Sequence, residues 1–182
     1  MDWLQKKKNR KILASLIAAI ILAVYTSFQE PRPESNPDIL SGQSGFYLVT
    51  EVVDGDTFKI SVNGESETVR LVGIDSPETK DPGKPKECYG EESSQKLSEL
   101  ILNKQVRLEK DTKQPDRDRY KRLLRYVYME DGVDVNALLL KEGFATVYET
   151  SAFGLYDEYK VYEAEAVISN RGLWGACKIS QQ

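Results

Sequence analysis

Residues 53–78 read VDGDTFKISVNGESETVRLVGIDSPE, and the remainder of the chain is legible as the scaffold that holds this stretch. Residues 58–60 and 68–72 are β-branched or apolar runs, and Asn63-Gly64 between them is a hairpin signal because both residues tolerate positive φ. Two antiparallel strands follow. Asp54-Gly55-Asp56 precedes the first and Asp75-Ser76-Pro77-Glu78 follows the second, so closing the hairpin brings both acidic clusters to one end of it. Asp56 and Asp75 become neighbours.

Two carboxylates brought together repel, and a cation, shared protons or an arginine must neutralise them. A hard divalent ion fits best: calcium takes carboxylate, carbonyl and water oxygens, so Asp56, Asp75 and the carbonyl of Ser76 form a candidate ligand set. Glu78, three residues beyond Asp75, is placed to hold a water near the metal. Arg70 on the returning strand offers a planar fork of donors suited to a phosphate. Taken singly, each acidic turn is only a turn, since Asx side chains bond their own backbone, and a strand arginine usually faces solvent. The joint occurrence of both turns, the hairpin and the arginine is what points to a site.

These residues resemble the staphylococcal nuclease (thermonuclease) family of calcium-dependent phosphodiesterases. DGDT at residues 54–57, Arg70, and DSPE at residues 75–78 match that family's metal and catalytic segments in order and approximate spacing, and DRYKR at residues 118–122 resembles its second arginine motif. The resemblance covers residues 46–174 and implies an OB-fold barrel, with Arg70, Glu78 and Arg122 catalytic and 3′-phosphates as products. By the same resemblance Tyr120 contacts a terminal phosphate and Tyr148 is one of two tyrosines at the base pocket, the second being imperfectly matched. Lys121 stands where glycine is common. A lysine adopts positive φ only at a cost, so either the turn differs or the glycine is not required.

Composition narrows the chemistry independently. Histidine is absent from the 182 residues, which excludes histidine-based hydrolases and imidazole zinc sites. Net charge is −4, with +4 in residues 1–11 and −8 in the remainder. An acidic body argues against tight, non-specific wrapping of nucleic acid, which needs many phosphate contacts. Local phosphate chemistry is compatible with it. Between Lys113 and Arg125 lie six basic residues against two acids; apart from Arg122 they read as a solvated loop and an exposed strand face.

Residues 6–11 are KKKNRK, and residues 12–29 contain no charge. At ~1.5 Å per residue this uncharged run spans roughly 27 Å, enough for a thin bilayer. Residues 1–28 are thus a basic stub with a hydrophobic helix, either an uncleaved anchor or a signal segment. An A-x-A cleavage pattern is missing, which favours the anchor. Basic residues before the segment place the domain outside the membrane. Residues 29–45, rich in proline and glycine, form a linker, residues 46–177 the domain and residues 178–182 a tail.

Within the domain, strands are expected at residues 46–53, 105–110 and 123–129, with an extended piece at 144–148. Helices are expected at residues 91–103, 135–142 and 156–169, the last ended by Gly172. Residues 112–119 read as a polar, mobile loop. Five short strands with about three helices suit a mainly β, α+β barrel of OB type better than a doubly wound sheet. Cys88 and Cys177 are either two thiols or a disulfide; a bridge across about ninety residues stabilises by roughly 4–5 kcal/mol in the chain-entropy model. The function expected is calcium-dependent hydrolysis of DNA and RNA by a monomer outside the cytoplasmic membrane. The rival is a non-catalytic OB-fold module that binds nucleic acid or protein, and it predicts gaps in the acid and arginine set.

Overall fold

Alternation of apolar and polar side chains sets the first strands of the computed structural model, which describes residues 45–79 and 86–177. In β1 (Phe46–Val52) Tyr47 and Val49 turn inward while Phe46 and Leu48 face out. β2 (Thr57–Val62) buries Phe58, Ile60 and Val62, and β3 (Glu65–Leu71) buries Val69 and Leu71. Asn63 and Gly64 join β2 to β3 with φ of 53° and 88°, the pair of positive values that a tight hairpin turn requires. The register runs from Val62 opposite Glu65 to Thr57 opposite Arg70.

After β4 (Ile74–Asp75) come α1 (Gly90–Ile101), β5 (Gln105–Glu109), β6 (Leu123–Met129), α2 (Val135–Lys141), β7 (Thr146–Val147), α3 (Tyr156–Ile168) and α4 (Leu173–Ala176). Five strands close a barrel in the order β1-β2-β3-β6-β5. The β3–β6 pair is parallel and the others are antiparallel. This is an OB-type barrel with helices, as the sequence led one to expect. β4 and β7 form a separate two-stranded ribbon. Val49, Phe58, Ile60, Val69, Val106 and Val127 are fully buried, as are Leu97 and Ile101 of α1. Removing such side chains from water is the main favourable term in folding.

Buried polar groups fasten the helices to the barrel. Asn136 of α2 accepts from the Val127 N–H at 3.1 Å and donates to the Val72 carbonyl at 2.9 Å, joining β6 to the end of β3. Asp134 caps α2 by accepting from the Ala137 N–H at 2.9 Å. Glu163 of α3 is buried, accepts from the Val147 N–H at 2.7 Å and pairs with Lys160. A buried carboxylate persists because those partners compensate its desolvation.

Several expectations are corrected. α1 starts at Gly90 and stops at Ile101, and Asn103 lies beyond it with φ of 59°. α3 ends at Ile168 and is closed over Asn170, whose φ is 51°, through Arg171 N–H to Ala166 O and Asn170 N–H to Val167 O, the pair of bonds that closes a helix over a left-handed residue. Gly172 therefore does not end the helix; a Cβ there would lie 2.2 Å from the Gly143 carbonyl oxygen. The basic run is not simply solvated. Arg125 is buried and bonds Asp116 Oδ1 at 2.7 Å, and Arg117 bonds Glu67 at 2.8 Å, so the loop before β6 is tied to the barrel by ion pairs.

Cys88 and Cys177 form a disulfide with Cα atoms 5.9 Å apart. The hydrophobic segment, linker and tail expected at residues 1–28, 29–45 and 178–182 lie outside the described residues, except Gly45. No helix among the described residues is long and apolar enough to cross a membrane.

Candidate active site

Asp54 begins the site locally, because its Oδ1 accepts the Asp56 N–H at 3.1 Å and shapes the turn before β2. Asp56 is buried. Its Oδ1 accepts from the Thr57 hydroxyl at 2.9 Å, and its Oδ2 accepts the Ser76 N–H at 2.9 Å from the turn after β4. Close packing permits this approach: a Cβ on Gly55 would lie 2.7 Å from the side chains of Ser76 and Ser93.

Arg70 of β3 reaches both carboxylates. Its Nη1 lies 2.7 Å from Asp56 Oδ2 and its Nη2 donates to Asp75 Oδ1 at 2.7 Å, while Nη1 also donates to the Ile74 carbonyl at 2.9 Å. Two carboxylates thus face one guanidinium, with Asp54 beside them through its bond to the Asp56 N–H. Burial, followed by the negative charge of Asp56, pushes the Asp54 carboxyl up to about 7. Asp75 is also raised, by desolvation first, with Arg70 opposing the rise. Both rises come mainly from burial, with the neighbouring Asp56 charge adding to them and Arg70 opposing them.

Arg122 reaches the same cleft from the loop before β6. Its Nε donates to Asp118 Oδ2 at 2.7 Å, its backbone N–H to Asp118 Oδ1 at 3.0 Å, and its Nη1 to Thr57 Oγ1 at 3.4 Å. Thr57 in turn bonds Asp56, so a continuous polar chain runs from Asp118 through Arg122, Thr57, Asp56 and Arg70 to Asp75. Lys121 has φ of 68°; the turn keeps the left-handed residue that glycine would supply, and the lysine adopts it. The Asp118 N–H donates to the Arg122 carbonyl and the Lys121 N–H to the Asp118 carbonyl, both at 3.0 Å.

A cleft of about 510 Å³ collects Asp56, Arg70, Asp75, Glu78, Tyr120, Arg122 and Tyr148 on one surface. Ser76 is buried beside it, held through its N–H. The Glu78 N–H donates to Glu87 Oε2 at 3.0 Å, fixing the backbone from which its side chain enters the cleft. Tyr120 is 63% exposed, with Arg119 and Arg122 at 4.7 and 5.3 Å from its ring centroid. Tyr148 lies across the cleft with the Arg70 guanidinium 6.0 Å from its ring. Sequence reasoning did not single out Thr57, Asp118 or Glu87. The recoverable signal was Asp118 opening a tight turn four residues before an arginine.

Among the described residues no group of three or more acidic, cysteine or histidine side chains is already arranged as a metal cage. The donor chemistry nonetheless fits a hard cation. The corner offers only oxygen ligands, drawn from two acidic turns, which are the preferences of calcium rather than of a thiolate or imidazole metal.

One cleft of this OB-type barrel carries two arginines and a set of carboxylates. The profile of the Staphylococcal nuclease homologue family matches residues 68–176, and the chain belongs to that family. It is 44% identical over 125 residues to the SPbeta prophage-derived endonuclease YokF of Bacillus subtilis (strain 168), covering 67% of this chain and 41% of that protein. It is 42% identical over 125 residues to Endonuclease YncB of the same organism, covering 67% and 58%. To the Thermonuclease of Staphylococcus intermedius it is 40% identical over 141 residues, covering 77% and 80%. The chain therefore spans less than two thirds of the two Bacillus relatives and four fifths of the staphylococcal one.

Proposed function

We propose that this chain is a calcium-dependent nuclease that hydrolyses phosphodiester bonds of DNA and RNA and leaves 3′-phosphates. The observation that carries the reading is the single cleft shared by Asp56, Arg70, Asp75, Glu78 and Arg122. Relatives named endonuclease and thermonuclease support it. The complete acid and arginine set argues against the non-catalytic binding module.

Asp56, Asp75 and the carbonyl of Ser76 are the residues that would hold calcium, which when bound supplies Lewis acidity and a template for a phosphate oxygen. The chain's own groups do the rest. Glu78 orients the attacking water and takes its proton. Arg70 and Arg122 stabilise charge growing on the equatorial phosphate oxygens, and Arg122 also serves the leaving oxygen. Asp118 accepts from the Arg122 Nε, which leaves the terminal nitrogens of the guanidinium as the donors for substrate. Tyr120 and Tyr148 bound the cleft where terminal phosphate and base would lie.

The proposed setting is outside the cytoplasmic membrane, as a monomer, anchored through residues 12–29 or released from them. A disulfide between Cys88 and Cys177 suits an oxidising compartment. The deciding experiment is a nuclease assay on the full chain with calcium and then with chelator, comparing the parent with Glu78→Ala and Arg122→Ala. Calcium-dependent cleavage lost in both variants supports the reading. A parent that binds nucleic acid without cutting it would replace it with the binding module, and fractionating cells with N-terminal sequencing decides the location.

A further inference from the structure

We propose that Glu87 and the Cys88–Cys177 disulfide position Glu78, so that hydrolysis depends on the oxidised state of that bridge. The inference rests on the nuclease reading above. Glu78 and Glu87 are joined twice: the Glu78 N–H donates to Glu87 Oε2 at 3.0 Å, and the Glu87 N–H donates to the Glu78 carbonyl at 2.9 Å. The next residue, Cys88, is covalently tied to Cys177 just beyond α4, 89 positions away. The backbone that holds Glu78 is therefore anchored to a different part of the fold.

The residues after the bridge press on the same turn. Gly90 opens α1 so close to it that a Cβ would meet Thr79 Cγ2 at 2.9 Å, the Pro77 carbonyl at 3.0 Å and the Glu78 carbonyl at 3.1 Å. Ser93, one helical turn on, is fully buried, with its hydroxyl oxygen 2.6 Å from the Phe144 carbonyl and 2.9 Å from the Tyr89 carbonyl. Tyr89 is held in the left-handed region at φ of 72°, a conformation that persists in a non-glycine residue when its surroundings over-determine it. Its flanks are the disulfide on one side and Gly90 packed on the turn on the other. The segment from Glu87 to Ser93 is thus a block that transmits the position of the bridge to Glu78.

Reduction by a dithiol breaks the S–S bond, places one hydrogen on each sulfur and oxidises the dithiol to its cyclic disulfide, a two-electron exchange. Glu87 then keeps its hydrogen bonds to Glu78 but loses its covalent anchor. A general base displaced by a fraction of an ångström loses rate without losing substrate binding.

The test uses the full chain, oxidised, reduced with dithiothreitol, and as Cys88→Ser with Cys177→Ser, together with Glu87→Ala and Glu87→Gln. Measured are kcat and KM on a single-stranded DNA oligonucleotide and backbone amide exchange. The reduced protein, the double serine variant and Glu87→Ala are expected to lose about tenfold or more in kcat with KM within about twofold. Glu87→Gln, which keeps an oxygen acceptor for the Glu78 N–H, recovers most of that loss. Exchange accelerates at the Glu78 and Glu87 amides while Leu71 and Val127 in the barrel stay protected. Unchanged kcat, or exchange that rises uniformly through the barrel, overturns the inference and leaves the bridge a stabiliser of the whole fold. Should the oxidised parent cut no nucleic acid, the nuclease reading fails, and the exchange rate at Glu78 alone decides the positioning role.

Discussion

The Asp56 carboxylate accepts the Ser76 N–H at 2.9 Å, fastening two turns that lie 20 residues apart. The same oxygen faces Arg70 at 2.7 Å. Asp56 is thus the point where backbone geometry and site electrostatics meet. Asp56→Asn keeps the shape but removes the charge, and it is expected to destabilise the fold by about 2–3 kcal/mol, the worth of a hydrogen bond to a charged group. Nuclease activity is expected to fall by ~10²-fold or more. Urea unfolding and a single-turnover assay report the two effects separately.

Arg122 is held by Asp118 through Nε and the backbone. Lysine at position 122 keeps a charge but lacks both the Nε donor and the fork. Arg122→Lys should therefore cost ~10²-fold in kcat with KM little changed, because the lost contacts strengthen in the transition state. A loss confined to KM would mean that Arg122 serves binding alone.

Lys121 sits at φ of 68° in a turn otherwise built like a tight hairpin with a left-handed third residue. A non-glycine residue there costs roughly 1–2 kcal/mol, partly offset by the greater freedom of glycine in the unfolded chain. Lys121→Gly is expected to raise stability by about 0.5–1 kcal/mol in a denaturant titration. Lys121→Val should lower it.

Asp111 is buried near the loop before β6 and accepts from the Tyr126 hydroxyl at 2.5 Å, the Gly154 N–H at 2.6 Å and the Lys113 N–H at 2.6 Å. Burial alone would raise its pKa, but the hydrogen bonds outweigh it and the carboxyl titrates below its ordinary 3.8. Asp116, paired with Arg125, is lowered in the same way against its own burial. Around and below pH 3.8 the unfolded chain binds more protons than the folded one. The stability these groups contribute is present above that pH and is lost as pH falls through their folded values. Unfolding followed from pH 6 to pH 2 should show that loss, and Asp111→Asn should flatten it.

Ligand linkage offers a calcium test that needs no substrate. Calcium at 100 times its Kd should stabilise the folded chain by about 2.7 kcal/mol, and chelator should remove the gain. Asp75→Ala is expected to abolish the shift. An equal shift in parent and variant would place the cation elsewhere.

The hairpin of β2 and β3 was readable because its cues are local: a two-residue turn that demands positive φ and flanking runs of period two. β6 was likewise legible from residues 123–129 alone. The meeting of Asp56 with Asp75 and the choice of Arg70 followed from the hairpin, and the choice of Arg122 from family resemblance. Arg125 was misread as solvent-facing because nothing in its neighbours reveals that Asp116 folds back over it. Glu163 was hidden for the same reason, since its partner is a backbone N–H in another element.

What the chain's order of residues determined by itself is the hairpin, the acidic turns at its end and the absence of histidine chemistry, all properties of short segments or of composition. Closure of the barrel, the polar chain from Asp118 to Asp75 and the coupling of Cys88 and Glu87 to Glu78 were decided only by tertiary structure. Those contacts join residues far apart in sequence, and their geometry exists only once burial of the barrel core has fixed where each turn stands.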